Sequence, residues 1–297
     1  MCLGTITLLV VCVRGIGYGV CYDPLHDPDM YHRSPAQAFE RDLQVIRNHF
    51  SSVRTYSTVF GGIPITPHIK RAGLQAALGI HTLTTDEEIT KQINVAVQAA
   101  NDRSRYVKHI LIGSETLVNG QDSPQKLIDL IQRVRAQVPP YVMVSTVQRP
   151  TEWLSDDPEI WRLAAACSVI AADVYPFFTV NGAAYKVETL KHQWRQLRDK
   201  YGKKVVISGT GWPSDGGWNA FGNRGCIEEA RDYYYAIHGF WQSETPRDEF
   251  SVDGSDFYYF QYFDQPYKSS HSPFEANFGV VHYDGKWKPG LNIQSLT

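Results

Sequence analysis

The chain has 297 residues, 43% hydrophobic and 20% charged, a balance ordinary for a folded globular protein and too apolar for a disordered one. Its formal charge of −2 leaves no basic footprint for nucleic acid or an anionic membrane, so neither is expected as a partner. The length suits one large α/β domain as well as two small ones, because barrels of roughly 250 residues fold around a single core.

From the start of the chain, residues 3–13 (LGTITLLVVCV) form an apolar run too short to span a bilayer. The run has the length of a signal-peptide core, but no basic segment precedes it and no small-x-small cleavage site follows. A trimmed secretion signal and an extra N-terminal strand both fit, and residues 1–15 are set apart from the domain over 16–297. Cys2, Cys12, Cys21, Cys167 and Cys226 form no C-x-x-C pair and no Cys/His metal pattern. Buried thiols are expected rather than a structural disulfide. The ten His residues show no ligand spacing, and neither a metal nor a cofactor is expected.

The periodicity predicts strands at 16–22, 52–57, 74–80, 107–113, 141–146, 168–175, 203–208 and 257–263. Several are short, near-continuous apolar runs, as parallel strands buried on both faces require. Helices lie between them. Ser34-Pro35 and Ser123-Pro124 each set a capping hydroxyl before a proline at the first helical position. Thr85 and Glu88 read as a capping box, followed by a stripe of Ile89, Ile93, Ala96, Val97 and Ala100. Leu127, Ile131, Val134 and Val138 make the next stripe, the helix near 65–72 looks short, one helix spans 225–245, and none follows the last strand. Eight strand–helix units in one domain favour a single (β/α)8 barrel, and no G-x-G-x-x-G follows the first strand to suggest a dinucleotide fold.

A barrel carries its site at the carboxyl ends of its strands. Those ends hold Ser114-Glu115, Asp173 to Phe178, Ser208 to Pro213, and Gln261 to Lys268. Polar groups and rings gather at one rim, as a saccharide cleft needs. With 17 Tyr, 13 Phe and 7 Trp, the chain has rings enough for a paved groove, though a large aromatic core would use them equally well. Glu115 follows an apolar strand that would hold its carboxyl protonated, which suits a general acid. A solvent-facing or Arg-paired glutamate has the same position in sequence.

The G-S-E at 113–115 and T-G-W-P-S at 210–214 resemble glycoside hydrolase family 17, whose signatures are G-[NS]-E after strand four and E-T-G-W-P-S after strand seven. V-R-T-Y at 53–56, Y-P-F-F at 175–178, F-D-Q-P-Y-K at 263–268, and Glu275 with Phe278-Gly279 extend the resemblance along the chain. It implies a retaining enzyme acting on β-1,3-glucan such as laminarin, secreted or in the cell wall. The resemblance is nearer the fungal branch, and glucanosyl transfer is favoured over endo-hydrolysis. A monomer is expected. Glu115 would be the acid/base, and the nucleophile would stand immediately before Thr210.

That position is Gly209, which has no side chain to attack an anomeric carbon. The chain as written is therefore expected to bind glucan with negligible turnover, the glycine leaving a gap where the nucleophile belongs. Replacement of the nucleophile by design is favoured over a natural glucan-binding pseudoenzyme, because the neighbouring motif residues are present. Ser114 stands where many relatives of this family have Asn, and Gln261 where many have Glu. Tyr56, Tyr175, Phe178 and Trp212 are candidate stacking or hydroxyl contacts, each equally suited to the core. Asp173 is a candidate for a sugar hydroxyl or for orienting a neighbour, and Asp264, Glu275 and Lys268 for a supporting network.

Overall fold

The computed structural model describes residues 18–180, 182–243, 256–270 and 272–292. The apolar segment at 3–13, with Cys2 and Cys12, lies outside them. Cys21, Cys167 and Cys226 are free thiols.

Eight strands close into a parallel barrel in sequence order. They are β1 (Gly19–Cys21), β2 (Ser52–Arg54), β3 (Gln75–Ile80), β4 (Val107–Ser114), β5 (Met143–Gln148), β6 (Ile170–Asp173), β7 (Val205–Thr210) and β8 (Phe257–Tyr259). The ring closes where Gly19 and Val20 of β1 pair with Tyr258 and Tyr259 of β8. The longest helices are α1 (Pro35–Arg47), α2 (Thr66–Ala72), α3 (Asp86–Ala100), α4 (Pro124–Arg135), α5 (Pro158–Ala166), α6 (Gly182–Tyr201) and α7 (Ile227–Ser243).

Local chemistry accounts for these helices. Ser123 Oγ accepts the Lys126 N–H at 3.1 Å and Thr85 Oγ1 accepts the Glu88 N–H at 3.3 Å, so two of the three predicted caps form. Ser34 makes no side-chain cap bond, and α1 begins on the fixed φ of Pro35 alone. The stripe Leu127, Ile131 and Val134 is fully buried against the barrel, each side chain contributing roughly 1.5–3 kcal/mol. Val138 lies past the end of α4 and is only partly buried against the same core. α2 is capped by Gly73, whose φ of 72° lies in the left-handed region that favours glycine.

Two strand boundaries differ from expectation in ways that bear on the rim. β7 begins at Val205, after a 3-10 turn over Gly202–Lys204, and runs on through Gly209 and Thr210. Gly209 is thus inside the barrel wall rather than in a loop. β8 ends at Tyr259, not at 263, and the backbone beyond it divides its bonds: Phe260 N–H donates to Thr210 O at 2.7 Å and Tyr262 N–H to Cys21 O at 3.0 Å in the barrel wall, while Gln261 and Gln265 turn to the segment 276–281. Gln261 N–H donates to Phe278 O at 3.1 Å, Val280 N–H to Gln261 O at 3.0 Å, and Gln265 N–H to Ala276 O at 2.9 Å. Among the described residues two 3-10 turns, Pro266–Ser270 and Glu275–Asn277, and this segment follow the eighth strand, with no α-helix.

Candidate active site

A cavity of about 430 Å³ opens at the carboxyl end of the barrel, with Ser114, Glu115, Asp173, Tyr56, Tyr175 and Phe178 in its wall. Lys268 and Glu275 reach it from the segment after β8, and Arg149 and Asp23 from the loops after β5 and β1. These residues come from at least five strand ends, which is why no short stretch of sequence contains the site.

Glu115 is aimed by its backbone. The register of β4 on β5 shifts between Leu111 and Ser114, and Gly113 and Glu115 have φ of 69° and 57°. A Cβ at residue 113 would lie 2.9 Å from Thr116 Oγ1, so glycine is required there. A glutamate in the left-handed region costs of order 1–3 kcal/mol and is held by its N–H donating to Val147 O at 2.8 Å. Burial pushes the Glu115 carboxyl up to about 8, and the neighbouring Asp173 carboxylate adds to the rise while Arg149 and Arg54 oppose it. Near neutral pH this side chain therefore keeps a proton that it can donate to a leaving oxygen.

Below Glu115 lies a buried polar floor. Arg54, at the end of β2, is 1% exposed and lies over the Tyr56 ring at 4.8 Å. A buried guanidinium demands partners. It donates to Asp173 Oδ1 at 2.6 Å, to Ser208 O at 2.7 Å, to Ser114 Oγ at 3.0 Å and to Asp173 Oδ2 at 3.4 Å. Burial works against its charge, but Asp173 outweighs that and holds it protonated. Ser208 Oγ also donates to Asp173 Oδ1, at 2.8 Å, and Ser114 Oγ to Oδ2 at 3.4 Å.

The predicted gap at Gly209 is not open. A Cβ there would lie 2.7 Å from the Tyr175 hydroxyl, 2.8 Å from Asp173 Oδ1 and 3.1 Å from Arg54 Nη1. Asp173 is register partner to Gly209 across β6 and β7, and so close an approach of its carboxylate needs the glycine.

Other candidates fall elsewhere. Trp212 is core: it is 1% exposed, donates from Nε1 to Arg224 O at 2.9 Å, and packs on Phe177 with centroids 5.1 Å apart. Gln261 is fully buried and lies outside the cavity wall, because its backbone is tied to the 276–281 segment. Asp264 does not join Lys268. It pairs with the buried Lys288 at 2.6 Å and accepts the Gly279 N–H at 2.9 Å, bracing the closing segment. Lys268 instead sets its ammonium 5.3 Å from the Phe260 ring centroid. The sequence reading attached no role to Arg54 and missed Arg149, Asp23 and Lys288. Only Arg54 carried a signal, as a charge in an otherwise buried strand.

Among the described residues no cluster of His, Cys, Asp and Glu is arranged to hold a metal, and no helix is long and apolar enough to cross a membrane.

Comparison with known proteins adds a family. The family model described as BtgE/BtgC glycoside hydrolase domain matches residues 19–279. A probable glucan endo-1,3-beta-glucosidase btgC of Aspergillus flavus is 25% identical over 276 residues, covering 85% of this chain and 39% of that protein. The chain thus spans about two fifths of the length of that relative. A glucan 1,3-beta-glucosidase of Arthroderma benhamiae is 23% identical, over 84% of this chain and 82% of its own. Among solved structures, a glycoside hydrolase family 17 beta-1,3-glucanosyltransferase from Rhizomucor miehei superposes with a TM-score of 0.70 at 24% identity, covering 93% of this chain and 97% of that one. That likeness establishes the shared barrel.

Proposed function

The chain belongs to the BtgE/BtgC glycoside hydrolase domain family, and we propose that its barrel binds β-1,3-linked gluco-oligosaccharides and acts on their glycosidic bonds, with Glu115 as the proton donor. The observation that carries this is the Glu115 carboxyl, held protonated up to about 8 in the wall of a cavity that Tyr56, Tyr175 and Phe178 also line. Rings offer flat faces to the apolar side of a pyranose, and Ser114, Lys268 and Glu275 offer hydroxyl and charged partners to its edges. The substrate class is supported by the names of the relatives, which act on 1,3-β-glucan.

In the reaction that the sequence motifs imply, a carboxylate before Thr210 attacks the anomeric carbon while Glu115 protonates the departing oxygen. Glu115 then deprotonates the acceptor, a second sugar in glucanosyl transfer or water in hydrolysis. Transfer is the favoured outcome for a site on this template. Gly209 cannot form the covalent intermediate, so double displacement by that route is lost here, and a glucan-binding protein without catalysis is the second reading. We assign the protein to an extracellular or cell-wall setting, acting as a monomer, where such glucans occur.

Calorimetry with laminaritriose tests the binding assignment. Heat is expected from the protein as it stands, and reduced affinity from Tyr175→Ala and Phe178→Ala. No heat and no competition by laminarin would remove the assignment. Product analysis on laminari-oligosaccharides separates the two readings: shortened or lengthened chains that disappear in Glu115→Gln mark an enzyme, and none marks a binder.

A further inference from the structure

Trp218 lies outside the cavity wall, on a short hairpin after β7 in which Gly217–Trp218 pairs antiparallel with Arg224–Gly225. At 70% exposure it is the most exposed aromatic residue among those described. A single exposed ring carries little meaning by itself. This one is held in place, has a guanidinium beside it and adjoins the cavity.

The hairpin is tied down by two asparagines. Asn219 Oδ1 accepts the Phe221 and Asn223 N–H groups at 2.9 and 3.0 Å, which closes the turn. Asn219 Nδ2 donates to Phe177 O at 2.5 Å, and the buried Asn223 donates from Nδ2 to Phe177 O at 2.8 Å and to Thr179 O at 2.7 Å. The hairpin is thereby fixed to the loop after β6, whose Phe178 and Thr179 are in the cavity wall. Following the bonds from Phe178 through Phe177 O and the Asn219 side chain leaves the Trp218 Cα at most about 13 Å from that of Phe178. One oligosaccharide can touch both.

Trp218 and Arg224 are direct register partners, so their side chains share one face of the hairpin, with Cβ atoms roughly 4.5–5.5 Å apart. Arg224 is exposed as well. A pyranose presents an apolar face to a ring and hydroxyl oxygens at its edge to N–H donors, and this pair offers both. The cavity, about 430 Å³, is in the lower part of the range of roughly 300–1,000 Å³ usual for small-molecule sites. A long glucan seated there has to leave it over the rim.

We propose that Trp218, with Arg224 beside it, is an outer sugar-binding site for a β-1,3-glucan chain that runs out of the cavity past Phe178 and Thr179. The inference rests on the proposed glucan-binding reading of the cavity and adds a preference for long chains over short ones. Both contacts belong to one ligand, so the outer one strengthens binding without a second association step.

Calorimetry with laminaritriose and laminarihexaose tests this. The unaltered protein is expected to bind one hexaose per chain, and to bind it more tightly than the triose. Trp218→Ala should weaken hexaose binding about three- to tenfold and leave triose binding within about twofold. Trp218→Tyr should recover part of the loss, and Arg224→Ala should show a smaller loss of the same kind. An unchanged hexaose affinity in Trp218→Ala, an equal loss for both sugars, or two hexaose molecules bound per chain would overturn the proposal. Equal affinities of the unaltered protein for the two sugars would overturn it with no variant needed. The two readings fail differently: triose heat with no gain from the hexaose removes only the outer site, whereas no heat from either sugar removes the glucan reading itself.

Discussion

Asp173 and Gly209 are register partners on adjacent strands, and the Asp173 carboxylate shares with the Tyr175 hydroxyl and the Arg54 guanidinium the space that a side chain at 209 would enter, with Oδ1 2.8 Å from the Cβ position. The glycine is therefore a condition of the buried Arg54–Asp173 pair and not simply an omission. Gly209→Ala is expected to destabilise the fold by about 1–3 kcal/mol through overpacking in a well-filled wall. Gly209→Glu is expected to cost more, since it adds a second buried carboxylate. Combining Gly209→Glu with Asp173→Ala should recover part of that loss, and denaturant unfolding of the three variants measures it.

Arg54 carries the counter-charge for this floor. Arg54→Met would leave Asp173 buried without its cation, and a loss of about 3–5 kcal/mol is expected. The double variant Arg54→Met with Asp173→Asn should cost less than the sum of the two single changes, because each single change strands the other charge. Urea titrations of the full cycle check the coupling.

For Glu115 the raised pKa makes both activity and stability fall with rising pH. Activity that uses its proton should fall as pH rises through about 8. Stability also declines over that span. The folded carboxyl keeps its proton from the ordinary value of 4.5 up to about 8, while the unfolded chain has already lost it, so rising pH favours unfolding across this window. Glu115→Gln should therefore raise the melting temperature more at pH 8 than at pH 5. Equal shifts at the two pH values would show that the carboxyl is not held up by burial.

Lys288 and Lys268 offer a contrast. Lys288 is buried and paired with Asp264 at 2.6 Å, and Lys288→Met is expected to cost about 3–5 kcal/mol by stranding that carboxylate. Lys268 reaches the cavity beside the Phe260 ring, and Lys268→Met should cost only about 0.5–1 kcal/mol while weakening laminaritriose binding. Thermal melts together with calorimetry distinguish a brace from a ligand contact.

The barrel was legible in the sequence because both of its signals are local. Apolar runs such as 107–113 and stripes such as Leu127, Ile131 and Val134 record burial along a single element, and parallel closure follows from their alternation. Ser123 and Thr85 marked helix starts for the same reason, since a cap bonds within three residues of itself. Glu115, Asp173 and the rings at 56, 175 and 178 could be gathered at one rim because strand ends in a barrel share a rim.

What stands behind and between those ends was decided by the tertiary structure. Trp212 belongs to a specific motif, yet packing on Phe177 and a bond to the Arg224 carbonyl make it core. Asp264 found Lys288 and not Lys268 because the segment after β8 folds back along 276–281, a pairing over a separation that no local pattern records. The space at Gly209 is the clearest case. A missing side chain reads in sequence as a gap, but close packing of strands lets a neighbour's side chain occupy it, and only the register of β6 on β7 brings Asp173 there.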